Sequence, residues 1–364
     1  MNPPFRADHV GSLLRPRELR HAFGEFSAGR LGATEIEAIQ DRAIRDAVAL
    51  QERVGLDSIT DGEFRRASYW SHFIDAIDGL AVRESLFQFR GDDGSVQSFT
   101  APHVERRIRR RYGASAAAFR FLQRTTTGTP KVTMPSPSTM HFWRGPQAIE
   151  PGTYDSVEEF FADLGRIYRE EVGELTALGA TWIQFDEVAL ATLCDPQVRE
   201  AVRRRGEDPD HLITLYIGAI NAALQGKPAS VRCAMHLCRG NYKGRWLSQG
   251  GYDPVAQRLF TETAVDAFLL EYDSERAGDF EPLRFVPATK VAVLGLVSTK
   301  TAALQNKDQL KRRIDDAARI LPLDQLAICT QCGFASTIGG NPVTPDDQER
   351  KLGLIVEVAS EVWR

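Results

Sequence analysis

The sequence predicts an α/β fold, a single (β/α)8 TIM barrel with a long insertion after the second strand. Eight short β-prone runs alternate with longer helical patterns along 364 residues, a length that one large barrel can use. The polar residues that stand out also fall at the C-terminal ends of those runs, where such barrels carry their chemistry. They are Ser12, Asp61, Glu63, Asp186, Glu187, His236, Cys238, Glu271 and Cys332. A doubly wound sheet with an extra lobe is the alternative. Residues 1–364 read as one barrel, with the insertion at about 71–128.

The elements follow in order. Val10-Gly11-Ser12 ends the first strand. Residues 33–54 form a helix, because Ile36, Ile39, Ala43, Ala47 and Leu50 recur on one face. Residues 56–60 are the second strand, ending at Asp61-Gly62-Glu63. The insertion has two basic clusters and little clear periodicity. Residues 131–134 make the third strand, closed by Pro135 and Pro137, and 155–178 a long helix with acidic residues at its start. Strands at 181–185, 231–237, 267–271, 290–297 and 326–329 complete the eight. Helices at 212–224, 254–265, 308–321 and 346–362 accompany them, the second with proline near its start.

Composition narrows the function. Forty-five basic residues against 49 acidic give a net charge of −4, which argues against a dedicated nucleic-acid binder. No apolar run is long enough to span a bilayer, and the N-terminus lacks the apolar core of a signal peptide, so a cytoplasmic location is the expectation. Five cysteines, at 194, 233, 238, 329 and 332, do not suggest a disulfide framework. The run Arg106-Arg107-Ile108-Arg109-Arg110-Arg111 reads as a solvated helix face, with a site for an anionic substrate tail or nucleic acid as the alternatives.

A metal centre is the sharper expectation. His236 and Cys238 are two apart at the end of a strand and so point the same way. Glu271 and Cys332 stand at the ends of later strands. Imidazole, thiolates and carboxylate are zinc ligands, and the set His236, Cys238, Glu271 and Cys332 could surround one Zn²⁺. The bland alternative is a satisfied core histidine beside an inert buried thiol. So electron-rich a site is a poor generator of hydroxide. It suits lowering the pKa of an incoming thiol, provided one position is open or displaceable. Cys329 of the Cys329-x-x-Cys332 pair reads as a buried strand residue, and Asp273 as a partner of a ligand.

The chain resembles the catalytic C-terminal half of cobalamin-independent methionine synthase, and more closely the short single-barrel paralogues of that family. The shared stretches run nearly end to end and in order: His9-Val10-Gly11-Ser12, Thr60-Asp61-Gly62-Glu63-Phe64-Arg65-Arg66, Gln184-Phe185-Asp186-Glu187, Met235-His236-Leu237-Cys238, Leu270-Glu271-Tyr272-Asp273, Gly278-Asp279-Phe280-Glu281-Pro282-Leu283 and Gln331-Cys332-Gly333-Phe334. The resemblance implies a zinc-dependent methyltransferase acting on the thiol of homocysteine or a similar thiol to form methionine. The donor it implies is a methylated folate, or another donor such as methylcobalamin. It puts the zinc ligands on His236, Cys238, Glu271 and Cys332, and the amino-acid pocket on Val10, Ser12, Glu63 and Asp186. Trp143 falls near the family's pterin-stacking aromatic, with core packing the equal alternative. One departure stands out. The full-length enzymes carry a histidine after the seventh strand to handle protons at the donor, whereas Gly295-Leu296-Val297-Ser298-Thr299-Lys300 has none, leaving Lys300 or Asp186 to substitute. An epoxide:thiol alkyltransferase, or a zinc- or folate-binding protein without turnover, are the other readings.

Overall fold

The β-prone runs pair in parallel around a nearly closed barrel. The structure is a computed structural model, and it describes residues 5–91 and 94–363. In chain order its strands are β1 (Ala7–Asp8), β2 (Ser58–Ile59), β3 (Ile77–Arg90), β4 (Val96–Arg110), β5 (Thr129–Pro135), β6 (Trp182–Glu187), β7 (Arg232–Leu237), β8 (Ala267–Glu271), β9 (Val291–Ser298) and β10 (Leu326–Gln331). Eight of them form the barrel sheet in the order β1-β10-β9-β8-β7-β6-β5-β2. Between β1 and β2 the ladder gives way to two other hydrogen bonds: Thr60 Oγ1 donates to Gly11 O at 2.7 Å, and Leu13 N to Gly62 O at 3.1 Å.

The helices lie where the periodicity puts them. Ala33–Arg53 buries Ile36, Ala43, Ile44, Ala47 and Val48 on one face, and Val157–Ala177 is capped by Ser156, whose Oγ accepts from Glu159 N. The barrel interior holds Val10, Trp182, Ala234, Ala267, Leu269, Val291, Val293, Ala327 and Cys329, so Cys329 is a packed strand residue. Also buried are Lys131 and Asp8, paired at 2.9 Å, with Lys131 donating to His9 O. Among the described residues no helix is long and apolar enough to cross a membrane.

The segment after β2 is ordered where the sequence shows little periodicity. The short helix Ser71–Ala76 leads into the antiparallel hairpin β3–β4, and the helix Ala116–Thr125 leads back to β5. Two register shifts, at Asp78/Leu80 and Glu84/Gln88, break the two-residue alternation that would have announced these strands. The hairpin is tied to the loops at the barrel mouth: Leu86 N donates to Trp143 O, and Arg90 N to Trp246 O. The arginine run corrects an expectation, since Arg106 to Arg110 lie on strand β4 and not on a helix. Ile108 is buried while the arginines reach acidic neighbours. Arg106 and Arg109 pair with Asp78, Arg107 with Glu159 and Asp163, and Arg110 with Glu171 and Glu174.

Candidate functional site

The ends of β7 and β10 bring three ligands together. His236, the penultimate residue of β7, lines the barrel mouth, Cys238 directly follows β7, and Cys332 directly follows β10. One ligand atom from each lies within 4.8 Å of the others, and all three residues are buried. His236 Nδ1 has no hydrogen-bond partner. Burial pushes the Cys332 thiol well above its ordinary pKa, and the neighbouring Cys238 adds to that, against Lys300 and His236. Two crowded thiols and an imidazole with one unpartnered nitrogen, buried together, are chemically a fit for one soft divalent cation.

Glu271, at the end of β8, stands outside this cluster. Its Oε2 accepts from Arg239 N at 2.6 Å and its Oε1 from Lys300 Nζ at 3.0 Å. Burial works to raise its pKa, but Lys300 and Arg239 more than offset that and lower it. Lys300 also lies 3.5 Å from Asp273. Burial opposes its charge, yet Glu271 and Asp273 raise its pKa above the ordinary lysine value. A lysine so held is a fixed cation, and it is not among the cavity-lining residues. Arg239, fully buried over the Tyr252 ring, donates to Gly250 O and Ala277 O and so ties the loop after β7 to that after β8.

A cavity of 410 Å³ opens over the cluster, and Val10, Ser12, Glu63, Trp143, Asp186, His236, Cys238 and Cys332 all line it. Its carboxylates are held from behind. Glu63 Oε1 accepts from Thr133 Oγ1 at 2.8 Å and lies 3.5 Å from Arg66, while Glu63 Oε2 is buried without a partner. Gln184 Nε2 donates to Asp186 Oδ1 at 2.7 Å and to Val10 O at 2.6 Å. Burial, and then the Glu63 charge, push Asp186 up to about 7; burial also raises Glu63. Two buried carboxylates facing one space are a receptor for a cation. Glu187 beside them is different: it accepts from Ser138 Oγ and Leu190 N and holds the loop after β6.

Backbone geometry singles out the same places. Among the described residues three non-glycine residues have positive φ, and two are Glu63 at 61° and Cys332 at 60°. Such conformations cost energy and persist where the surroundings impose them, often at functional sites. Gly333 lets the loop after β10 pass against Ser12, since a Cβ there would sit 1.8 Å from Ser12 Oγ.

Sequence reasoning gave no role to Thr133 on β5, Gln184 on β6 or Arg66 in the loop after β2, whose parts appear only once the strands and loops are brought together. It also missed the aromatic wall, because half of that wall comes from the hairpin. Phe99 meets Trp143 edge-on at 5.1 Å and Phe89 at 4.9 Å, and Phe89 stacks on Tyr242 at 5.5 Å. All four line the cavity, as do Tyr69 and Trp70.

Comparison with known proteins follows this geometry. The family model described as "Cobalamin-independent synthase, Catalytic domain" matches residues 5–360. The Bacillus subtilis (strain 168) protein YxjH, itself uncharacterized, is 36% identical over 365 residues, covering 99% of this chain and 95% of that protein. A crystal structure from Listeria monocytogenes, described as a candidate vitamin-B12 independent methionine synthase, superposes with a TM-score of 0.78 at 31% identity, covering 100% of this chain and 99% of that one. A B12-independent methionine synthase from Shewanella sp. W3-18-1, solved with selenomethionine, shares the fold at a TM-score of 0.75 and 22% identity, covering 98% and 97%.

Proposed function

The chain belongs to the cobalamin-independent synthase catalytic-domain family, methyltransferases of the methionine synthase type, and from that membership we propose that it methylates the thiol of homocysteine to give methionine, with zinc as its metal. The observation that carries the reading is the His236–Cys238–Cys332 cluster on the floor of a cavity whose wall holds Glu63 and Asp186. The three cluster residues would hold the ion. Glu271 would reach it only by exchanging the Lys300 ammonium for it. Zinc, when bound, supplies a thiol pKa low enough for a thiolate at neutral pH.

The chain's own residues do the rest. Glu63 and Asp186 take the substrate ammonium, and the unpartnered Glu63 Oε2 is the acceptor kept for it. Gln184 and Thr133 fix the two carboxylates so that little rotamer freedom is lost on binding. Val10 and Ser12 receive the substrate carboxylate, which leaves the thiol end of the molecule toward the cysteines. Lys300 is a positioning residue for Glu271. The second substrate, the methyl donor, takes the remaining volume beside Trp143. No nucleic acid or membrane enters this reading, which is of a cytoplasmic enzyme.

Metal content and methionine formation test it together. The purified chain should hold about one zinc. Cys238→Ser and Cys332→Ser should each lose most of it, and Glu271→Gln should keep more than either. Stoichiometric zinc in both cysteine variants would place the metal elsewhere. Failure of the loaded enzyme to bind homocysteine by calorimetry would end the thiol reading.

A further inference from the structure

The donor's share of the cavity has a definite chemistry. Its walls there are Tyr69, Trp70, Phe89, Phe99, Trp143 and Tyr242, which come from the loop after β2, the hairpin and the loops after β5 and β7. Four of these rings form one continuous cluster. Among the described residues lining the cavity there is no lysine or arginine, while three carboxylates are present, Glu63, Asp186 and, at the rim, Asp75. Asp75 makes no ion pair or hydrogen bond among the described residues, and burial raises its pKa, with Arg111 offsetting part of that. Arg106, Arg107, Arg109 and Arg110 on β4 are committed to Asp78 and to Glu159, Asp163, Glu171 and Glu174 of the helix Val157–Ala177. The lining itself therefore offers a polyanionic donor no counter-charge; Lys243, 5.4 Å from the Tyr242 ring centroid, and Arg111, which acts on Asp75, stand outside it. The volume also sets a limit. Ligand cavities commonly run about 300–1,000 Å³, and homocysteine takes part of these 410 Å³, so the enclosed part of the donor is small.

We propose that the methyl donor is a small onium ion, a methylated sulfonium or quaternary ammonium, held with its charged head against Trp143, Phe99, Phe89 and Tyr242. This rests on the reading that a thiol is methylated. Aromatic faces attract such cations, whose charge is spread over methyl groups and weakly hydrated. The chemistry needs no acid at the leaving atom. The homocysteine thiol loses its proton to solvent on ionising. Its sulfur then forms a bond to the donor methyl carbon, and the carbon–heteroatom bond breaks with its electron pair passing to the onium atom, which departs neutral. That fits a cavity from which Lys300 is absent and in which Asp186 is turned to the amino-acid end.

The test uses the full chain loaded with zinc, with homocysteine and, separately, trimethylsulfonium, methyltetrahydrofolate or methylcobalamin, methionine being detected by mass. Tetramethylammonium binding is read in parallel by tryptophan fluorescence. The expected result is saturable methionine formation from trimethylsulfonium, faster than from methyltetrahydrofolate. Tetramethylammonium should bind with a Kd raised about tenfold in Phe99→Leu and raised also in Asp75→Asn, a rim substitution that leaves the core alone. Homocysteine affinity should be unchanged in both. Methionine from methylcobalamin or methyltetrahydrofolate but none from trimethylsulfonium, with no saturable tetramethylammonium binding, overturns the onium donor and leaves thiol methylation standing. No methionine from any of the three overturns the donor as well, and if homocysteine also fails to bind, the thiol reading falls with it.

Discussion

Asp186 carries the clearest electrostatic signature of any residue here. Burial and Glu63 push it up to about 7, so below that pH it holds a proton that an incoming ammonium has to displace. Methionine has no thiol proton and isolates this effect. Its affinity should fall as pH drops below about 7, with proton release on binding seen by calorimetry in buffers of different ionisation enthalpy, and Asp186→Asn should flatten the profile. The sign for stability is the reverse of a salt-bridged carboxylate. A folded pKa above the unfolded one means that stability is lost as pH rises from the ordinary carboxylate range to about 7. Asp186→Asn should therefore raise the melting temperature at pH 8 and change it little at pH 4. Of the site, His236, Cys238 and Cys332 could be read in the sequence, because strand alternation and strand ends are local. The capture of Glu271 by Lys300 could not, since it joins residues 29 apart in sequence through the packing of neighbouring strands.

At the scale of the element, the loop after β10 is the most constrained piece of the barrel mouth. It places Cys332 in a left-handed conformation and then passes Gly333 against Ser12. Phe334 N donates to Ser12 O, and both Asn241 and Asn341 donate to Gly333 O. In Gly333→Ala the Ser12 hydroxyl, 1.8 Å from the new Cβ, has to rotate away, and Ser12 Cβ and O at 3.0 and 3.1 Å leave the backbone to give by a few tenths of an ångström. Overpacking of this kind costs about 1–3 kcal/mol, and the movement should be felt at Cys332. The expected outcome is a lower melting temperature together with reduced zinc content. Full zinc retention at a lowered melting temperature would separate the loop's packing from its ligand. The hairpin shows the opposite face of legibility. Its strands are 14 and 15 residues long, yet their bulges hid the alternation, and with it went the aromatic wall they carry.

The whole molecule has a core that does not depend on the cluster. Residues buried from every barrel strand except β1, and from most helices, pack into one continuous apolar body. A zinc finger unfolds without its metal; a barrel with such a core does not. Chelation should lower the melting temperature by several degrees and leave far-ultraviolet circular dichroism at 25 °C unchanged. Collapse of the spectrum on chelation would assign the metal a structural role. Most strands were legible because a parallel strand buried on both faces reads as a short apolar run bounded by turns; the first was not, since β1 is only Ala7–Asp8 and Val10-Gly11-Ser12, expected to end it, lies beyond it. The short helices Arg17–Ser27 and Pro196–Arg204 were not, since each offers few buried residues to mark a face.

The gap between β1 and β2 has a mechanical meaning. Ser12 rides on one lip and Glu63 on the other, and in place of a strand ladder a threonine hydroxyl, one amide and the Arg15 guanidinium, which donates to Glu63 O and Arg66 O, stitch the lips together. An amino acid gripped by its carboxylate on one side and its ammonium on the other is a staple across a split hoop. Occupancy should then stiffen the barrel at this seam, and slowed hydrogen–deuterium exchange at Leu13 would report the amino acid's arrival before any methyl group has moved.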